Sequence, residues 1–392
     1  MIISLLTLLV SCELMDDLSH CEPDVPTTTV EITNVFYEER LQTIASIEQY
    51  SDSNSVVLCV LTDNHLTSSS VNKNANEASL QNISYIVNNV TTDGVVHLGD
   101  MIAESLYKTD GKTNEELYDI MNAYITKVNA LHPCTFIING NHDGEKGNSF
   151  CQERWLQMVK PLNDNYVTRE EGTPYFYYDV PNKGVRCVFM AIPDNTKDNT
   201  IETGFSPRLL SWLQEDAFDV EDGTDVIIFA HIPVIHANYY YKTGGRLPNR
   251  DSFEGMCNAF NAHIRYSDDL VNVDYSCKSK SKIVAYISGH AHTDLVAEPG
   301  YRYDGTMIYG SDASVKDHTY ENTLSFPVIL IGHNFFNSNT NGSIARNGGV
   351  NHPRKGGTYT QDLWDTMIYK KSTGEIHFIR FGAGEDRHIK TN

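Results

Sequence analysis

Five short polar clusters carry the residue types of metal chemistry. They are Asp63-Asn64-His65, Gly99-Asp100, Gly140-Asn141-His142-Asp143, His231 and Gly289-His290-Ala291-His292. Carboxylate oxygens and imidazole nitrogens are donors suited to Zn, Mn or Fe. Asp63 and His65 are spaced i, i+2, and so are His290 and His292. In extended backbone such residues face the same way. Each pair is therefore expected to offer both donors to one metal centre. The glycines before Asp100, Asn141 and His290 are expected to let the chain turn sharply into each ligand. A lone D-x-H or Gly-Asp recurs by chance, and a single histidine is more often structural. Five such clusters in this order are hard to attribute to chance.

Each cluster follows an apolar run of strand length: 55–61, 94–98, 134–138, 225–230 and 282–287. Between the first three lie helical patterns at 76–90 and 113–131, the latter with Thr113 and Glu116 placed for a capping box. The first half thus reads βαβαβ. Ligand sites in α/β sheets lie beyond the carboxyl ends of the strands, so five clusters at five strand ends can meet in one crevice. Further strands are expected at 175–180 and 184–192, a helix at 206–217 and a C-terminal hairpin at 365–381. His97 reads as a structural residue of its strand, and Trp155, Trp212 and Trp364 as core. The Asn/Gly-rich stretch 333–357 carries His333, Arg346, His352, Arg354 and Lys355. It reads as a solvated loop, with a place at the crevice rim as the alternative.

The chain has 392 residues, 40% of them apolar, and a formal charge of −21. That charge disfavours gripping a nucleic-acid duplex or an anionic membrane by surface charge. Residues 1–12 are expected to be an export signal, too short to span a bilayer. Leu9-Val10-Ser11-Cys12 resembles the lipobox of bacterial lipoproteins, which implies a lipid anchor at Cys12 and a cell-surface or secreted protein. No Lys or Arg precedes the apolar run, a departure from that pattern. Residues 13–50 read as tether and lead-in, and 51–392 as one domain. Of eight cysteines, Cys59 and Cys187 read as core. Cys134–Cys151 and Cys257–Cys277 are candidate disulfides whose connectivity sequence alone does not assign. Glycosylation sequons occur at Asn82, Asn89 and Asn341.

D-x-H, GD, GNHD, H and GHxH, in that order, resemble the calcineurin-like metallophosphoesterase superfamily over residues 50–320. The resemblance implies an α/β fold, a four-layer α/β/β/α sandwich. Two mixed β-sheets are flanked by helices, with a dimetal site at the strand C-terminal ends. It implies two divalent ions (Mn, Zn or Fe), one held by Asp63, His65 and His292. The other would be held by Asn141, His231 and His290, with Asp100 bridging both. His142 matches the family histidine that contacts the scissile phosphate. The implied reaction is phosphomonoester or phosphodiester hydrolysis by a two-metal-activated hydroxide. Ala103 stands where the Ser/Thr protein phosphatases carry a carboxylate that orients this histidine, and where the purple acid phosphatases carry a metal-binding tyrosine. Neither subfamily is therefore expected, although Glu104 could replace the carboxylate.

Residues 232–250 follow His231 and carry His236, Tyr239, Tyr240, Tyr241, Lys242, Arg246 and Arg250. They are candidates to stack a base or sugar and to pair a second phosphate, Arg250 serving with Lys242 and Arg246 as a basic rim. A surface loop that covers the core is the other reading. The expected ligand is a small or terminal phosphoester. The competing function is a catalytically idle, metal-bearing surface scaffold of the same fold.

Overall fold

The computed structural model describes residues 36–391 apart from 146–147, 150–151, 193, 197–199, 203, 236–246, 310–313 and 346. The expected signal, Cys12 and tether to residue 35 lie outside the described residues. So do the candidate substrate contacts His236, Tyr239, Tyr240, Tyr241, Lys242 and Arg246.

The apolar runs form two sheets. The first orders its strands Arg387–Lys390, Glu375–Gly382, Leu363–Lys370, Val56–Leu61, Gly94–His97, Thr135–Ile137. The second orders Leu295–Ala297, Val328–Leu330, Ile283–Ser288, Asp225–Ala230, Val185–Met190, Phe176–Val180, Thr168–Arg169. Both are mixed. Val56–Leu61 pairs in parallel with Gly94–His97 and antiparallel with Leu363–Lys370. Asp225–Ala230 is parallel to both of its neighbours.

Period-two alternation assigns each strand residue to a layer. Val56, Leu58 and Val60 enter the core between the sheets, with Phe136, Phe189, Phe229 and Phe378. Val57, Cys59 and Leu61 face a helical layer that includes Ile83, Ile86, Met121 and Trp155. The second sheet meets Leu209, Leu210, Trp212, Phe253 and Phe260 on its outer side. Runs buried on both faces read as continuously apolar for this reason. The result is the four-layer α/β/β/α sandwich, and no described helix is long and apolar enough to cross a membrane.

Helix boundaries follow local chemistry. Thr113 accepts the Glu116 N–H and the Glu116 carboxylate accepts the Thr113 N–H, the reciprocal cap of helix Asn114–Asn129. The lead-in contains the helix Tyr37–Tyr50, whose Ile47 is buried against the first sheet's helical layer. Arg40 on that helix donates to Asn82 Oδ1 at 2.8 Å, and Asn82 donates to Asp362 Oδ2 at 2.6 Å. The Asn82 sequon is thus spent on the interior, since Asn82 is fully buried. Cys134, Cys257 and Cys277 are unbridged, so the candidate Cys257–Cys277 disulfide is not formed. The buried Cys257 serves core packing with Phe253 and Phe260.

Asp362 supplies a pH prediction. Burial pushes its carboxyl up to about 7, against the lowering effects of Asn82, Arg354 and Arg40. The folded state then holds a proton that the unfolded chain releases near the ordinary value of 3.8. Its contribution to stability is full below that value and is lost as pH rises through about 7. Asp362→Asn should flatten urea-midpoint profiles between pH 5 and 8, gaining on the wild type at the alkaline end. Parallel profiles for the two proteins would overturn the assignment.

Candidate metal centre

The ligand loops converge where parallel strands from both sheets end. Asp63, His65, Asp100 and His292 bring one donor atom each within 4.8 Å of one another, and Asp100, His231 and His290 form a second such group. Asp100 belongs to both. Asn141 joins the second group, its Oδ1 lying 3.1 Å from His231 Nε2. The His65 and His292 Nε2 atoms are 2.9 Å apart. His292 Nε2 lies 3.1 Å from Asp63 Oδ1.

The backbone reaches this arrangement differently from the extended path expected for i, i+2 pairs. Asp63 (φ 53°), His65 (φ 42°), Asp100 (φ 55°), His290 (φ 65°) and His292 (φ 58°) are all left-handed. Side chains with a Cβ rarely adopt this conformation, and such strain collects at functional sites. The turn sends His290 and His292 to different donor groups rather than to one. Only Gly99, among the three glycines before ligands, needs its freedom of φ, at 100°. Gly140 and Gly289 are required by close approach instead. A Cβ on Gly140 would overlap Asp100 Oδ1 and N, and one on Gly289 would overlap Thr62 Oγ1.

Hydrogen bonds zip the loops together. Asp63 N–H donates to the Gly99 carbonyl at 3.0 Å and His65 N–H to the Asp100 carbonyl at 3.0 Å. His290 N–H donates to Asp63 Oδ2 at 2.9 Å, and His142 N–H to Asp100 Oδ1 at 2.7 Å. His231 Nδ1 donates to the Leu98 carbonyl at 2.8 Å, which turns Nε2 inward as a lone-pair donor.

The donor set fits cations. Asp100 Oδ2 is buried without a hydrogen-bond partner. Around it stand His231 Nε2 at 3.2 Å and the Nε2 atoms of His65 and His142, both at 3.8 Å. Burial penalises charge on every group. Even so, the two carboxylates overcome it and lift His231 to about 9, while the surrounding histidines hold Asp63 well below its usual range. Two buried carboxylates ringed by imidazole nitrogens are a donor set that divalent ions fit.

The structure gives Asp143 a role that the sequence reading did not, and brings Glu104, the candidate replacement for the missing carboxylate, near His142. Asp143, the last residue of GNHD, accepts backbone N–H groups from Asp100 (2.8 Å), Met101 (2.7 Å), Ile102 (3.3 Å) and Gly140 (2.8 Å). It holds the Asp100 loop from beneath. Glu104 Oε1 stands 3.4 Å from His142 Nδ1, on the side where Ala103 offers no carboxylate.

The stretch at 333–357 departs from a solvated loop. Phe335 N–H donates to the Asp63 carbonyl at 3.0 Å, and the His333 ring tilts against His292 at 4.9 Å. Arg354 is buried and donates to the His333 carbonyl at 2.9 Å. The start of the loop is therefore the wall behind two candidate ligands, and its polar groups are used inward. Arg250 departs as well. It is buried at the start of helix Arg250–Ala262, paired with Glu254 at 2.5 Å, and does not form a substrate rim.

The calcineurin-like phosphoesterase family matches residues 56–294. A dimetal phosphatase from Danio rerio has a similar structure, with TM-score 0.53 and 12% identity, covering 86% of this chain and 99% of that one. PhoD is 10% identical at TM-score 0.45, covering 88% of this chain and 73% of that one. No functionally curated protein matches the chain. The family match takes in all five ligand clusters and more than half of the residues, so the chain belongs to the calcineurin-like phosphoesterase family.

Proposed function

We propose that the protein hydrolyses small or terminal phosphoesters with two divalent ions, one held by Asp63, His65 and His292 and the other by Asn141, His231 and His290. Asp100 is shared between them. The observation that carries this reading is the buried Asp100, the residue common to both donor groups, whose Oδ2 accepts no hydrogen bond. Ions bound there would acidify a water and draw charge from phosphoryl oxygens. The chain's own residues do the rest. Asp143 fixes the Asp100 loop, and the Leu98 carbonyl fixes the His231 tautomer. His142 presents its ring at the mouth between Asp100 and Glu104, to hydrogen-bond a non-bridging oxygen or protonate the departing alkoxide.

Charge supports a small substrate. The chain's −21 opposes long polyanions, while a centre with two divalent ions attracts a single phosphoester. The apolar run 1–11 followed by Cys12 supports an exported enzyme, either secreted or lipid-anchored at the cell surface. Purified protein with measured metal content should hydrolyse para-nitrophenyl phosphate, its bis ester, or both, when supplied with Mn, Zn or Fe. Protein that holds two metals per chain and turns over neither ester would overturn the catalytic reading in favour of an idle scaffold.

A further inference from the structure

Strand Gly94–His97 ends in a buried histidine that reaches sideways into the neighbouring ligand loop. His97 Nδ1 accepts the Gly99 N–H at 3.1 Å. A neutral ring engaged in this way carries its proton on Nε2. His97 Nε2 lies 2.9 Å from Asn64 Oδ1, so it donates there. The Asn64 amide is thereby oriented, and its Nδ2 donates to Asn76 Oδ1 at 2.6 Å. Asn76 Nδ2 donates in turn to the Asn72 carbonyl at 3.0 Å, inside helix Ser70–Val87. His97, Asn64 and Asn76 are all buried. The bonds run one way, from the Gly99 amide into the helix, with a donor meeting an acceptor at each step.

This relay sits under the strained backbone of the centre. Asn64 separates Asp63 and His65, both left-handed, and Gly99 precedes the left-handed Asp100. The two nitrogens of one imidazole therefore tie two ligand loops together from below. We propose that His97 is a positioning residue of the metal centre, bridging Asn64 and the Gly99 amide so that Asp63, His65 and Asp100 keep the backbone turn that aims them at the ions. The inference rests on the metal-centre reading above. His97 itself is a ligand in neither donor group.

The test measures Mn affinity of the folded full-length chain by chelator competition, beside the urea midpoint of the metal-free protein. His97→Phe keeps a ring and loses both bonds. His97→Gln keeps a donor within reach of Asn64, whereas His97→Asn keeps only an acceptor for Gly99. The Phe variant should lose about 10–100-fold in Mn affinity, the usual scale for residues that support ligands. Gln should restore more of the affinity than Asn. A merely structural histidine would move the urea midpoint and leave the Mn affinity of the folded protein unchanged. That result, or equal rescue by Asn and Gln, overturns the proposal. If the Phe variant does not fold, Asn76→Ala breaks the last link and should weaken Mn binding by about tenfold. Unchanged binding there overturns the proposal equally. A wild-type chain that binds none of Mn, Zn and Fe overturns the centre itself and this inference with it, whereas unchanged affinity in the variants overturns the inference alone.

Discussion

Asp100→Asn is expected to lower turnover by about 10³-fold or more and to strip metal from the protein. Asp100 is the only donor shared by both groups. Its Oδ2 accepts no hydrogen bond and faces imidazoles, the nearest being His231 Nε2 at 3.2 Å, and the amide replaces a negative oxygen with a neutral one. Metal stabilisation of transferring phosphoryl charge supplies several kcal/mol, and each 1.4 kcal/mol is about tenfold in rate. His142→Ala is the control. Its ring is outside both donor groups, so metal content should stay at the wild-type level while turnover falls about 10²–10⁴-fold. Elemental analysis and turnover on the same samples separate the two. Full metal content in the Asp100 variant would remove the shared-ligand argument.

Arg380→Leu should cost about 3–5 kcal/mol of folding stability, the scale for removing one partner from a buried ion pair. Arg380 is buried between two carboxylates. It donates to Asp294 at 2.8 and 2.9 Å and to Asp365 at 2.9 and 3.0 Å. Arg387 reinforces Asp365 at 2.6 Å, and His352 reaches Asp294 at 2.7 Å. Despite burial, Arg380 and Arg387 hold Asp294 far below its usual range. Without Arg380, those carboxylates lose their fork of donors. Arg380→Lys should recover little, because an ammonium cannot pair bidentately with both. Urea unfolding at pH 7 reads the loss, and a Leu variant within 1 kcal/mol of the wild type would refute it. Asp294 is two residues beyond His292, so this network also anchors the last ligand loop to the C-terminal hairpin.

The sandwich was legible because its strands are buried on both faces. Val56–Leu61 is buried at all six positions, and so are Asp225–Ala230 and Ile283–Ser288. The ligand clusters were legible because chemistry restricts them to Asp, Asn and His at strand ends. The path of the backbone between them was not. Five left-handed residues are held by tertiary hydrogen bonds such as Asp63 N–H to the Gly99 carbonyl; Asp and His tolerate that conformation better than most side chains but do not dictate it. Asp143 was visible as the end of GNHD, but its four backbone partners exist only in the fold. Arg380 stood as a lone charge in an apolar strand, a usable signal, but its partner Asp294 lies 86 residues away. The loop at 333–357 misled for a related reason. Asn and Gly suggest solvent, whereas Asn334 here donates to Ser79 Oγ at 2.7 Å in the interior.

The strand that leads into Asp63 has one flank closed by Gly94–His97 and the other by Leu363–Lys370, with Val56 opposite Tyr369. That second flank arrives about 300 residues later in synthesis. Until the C-terminal hairpin emerges from the ribosome, the central strand of the first sheet carries an open, apolar edge, the kind that recruits other chains. Pairing at such separation closes slowly, because a long loop must be ordered before any contact rewards it. Closure of the first sheet is therefore expected to wait for this hairpin. Chains cut short before residue 363 would carry every candidate ligand and are still expected to aggregate, which light scattering of such a truncation would read.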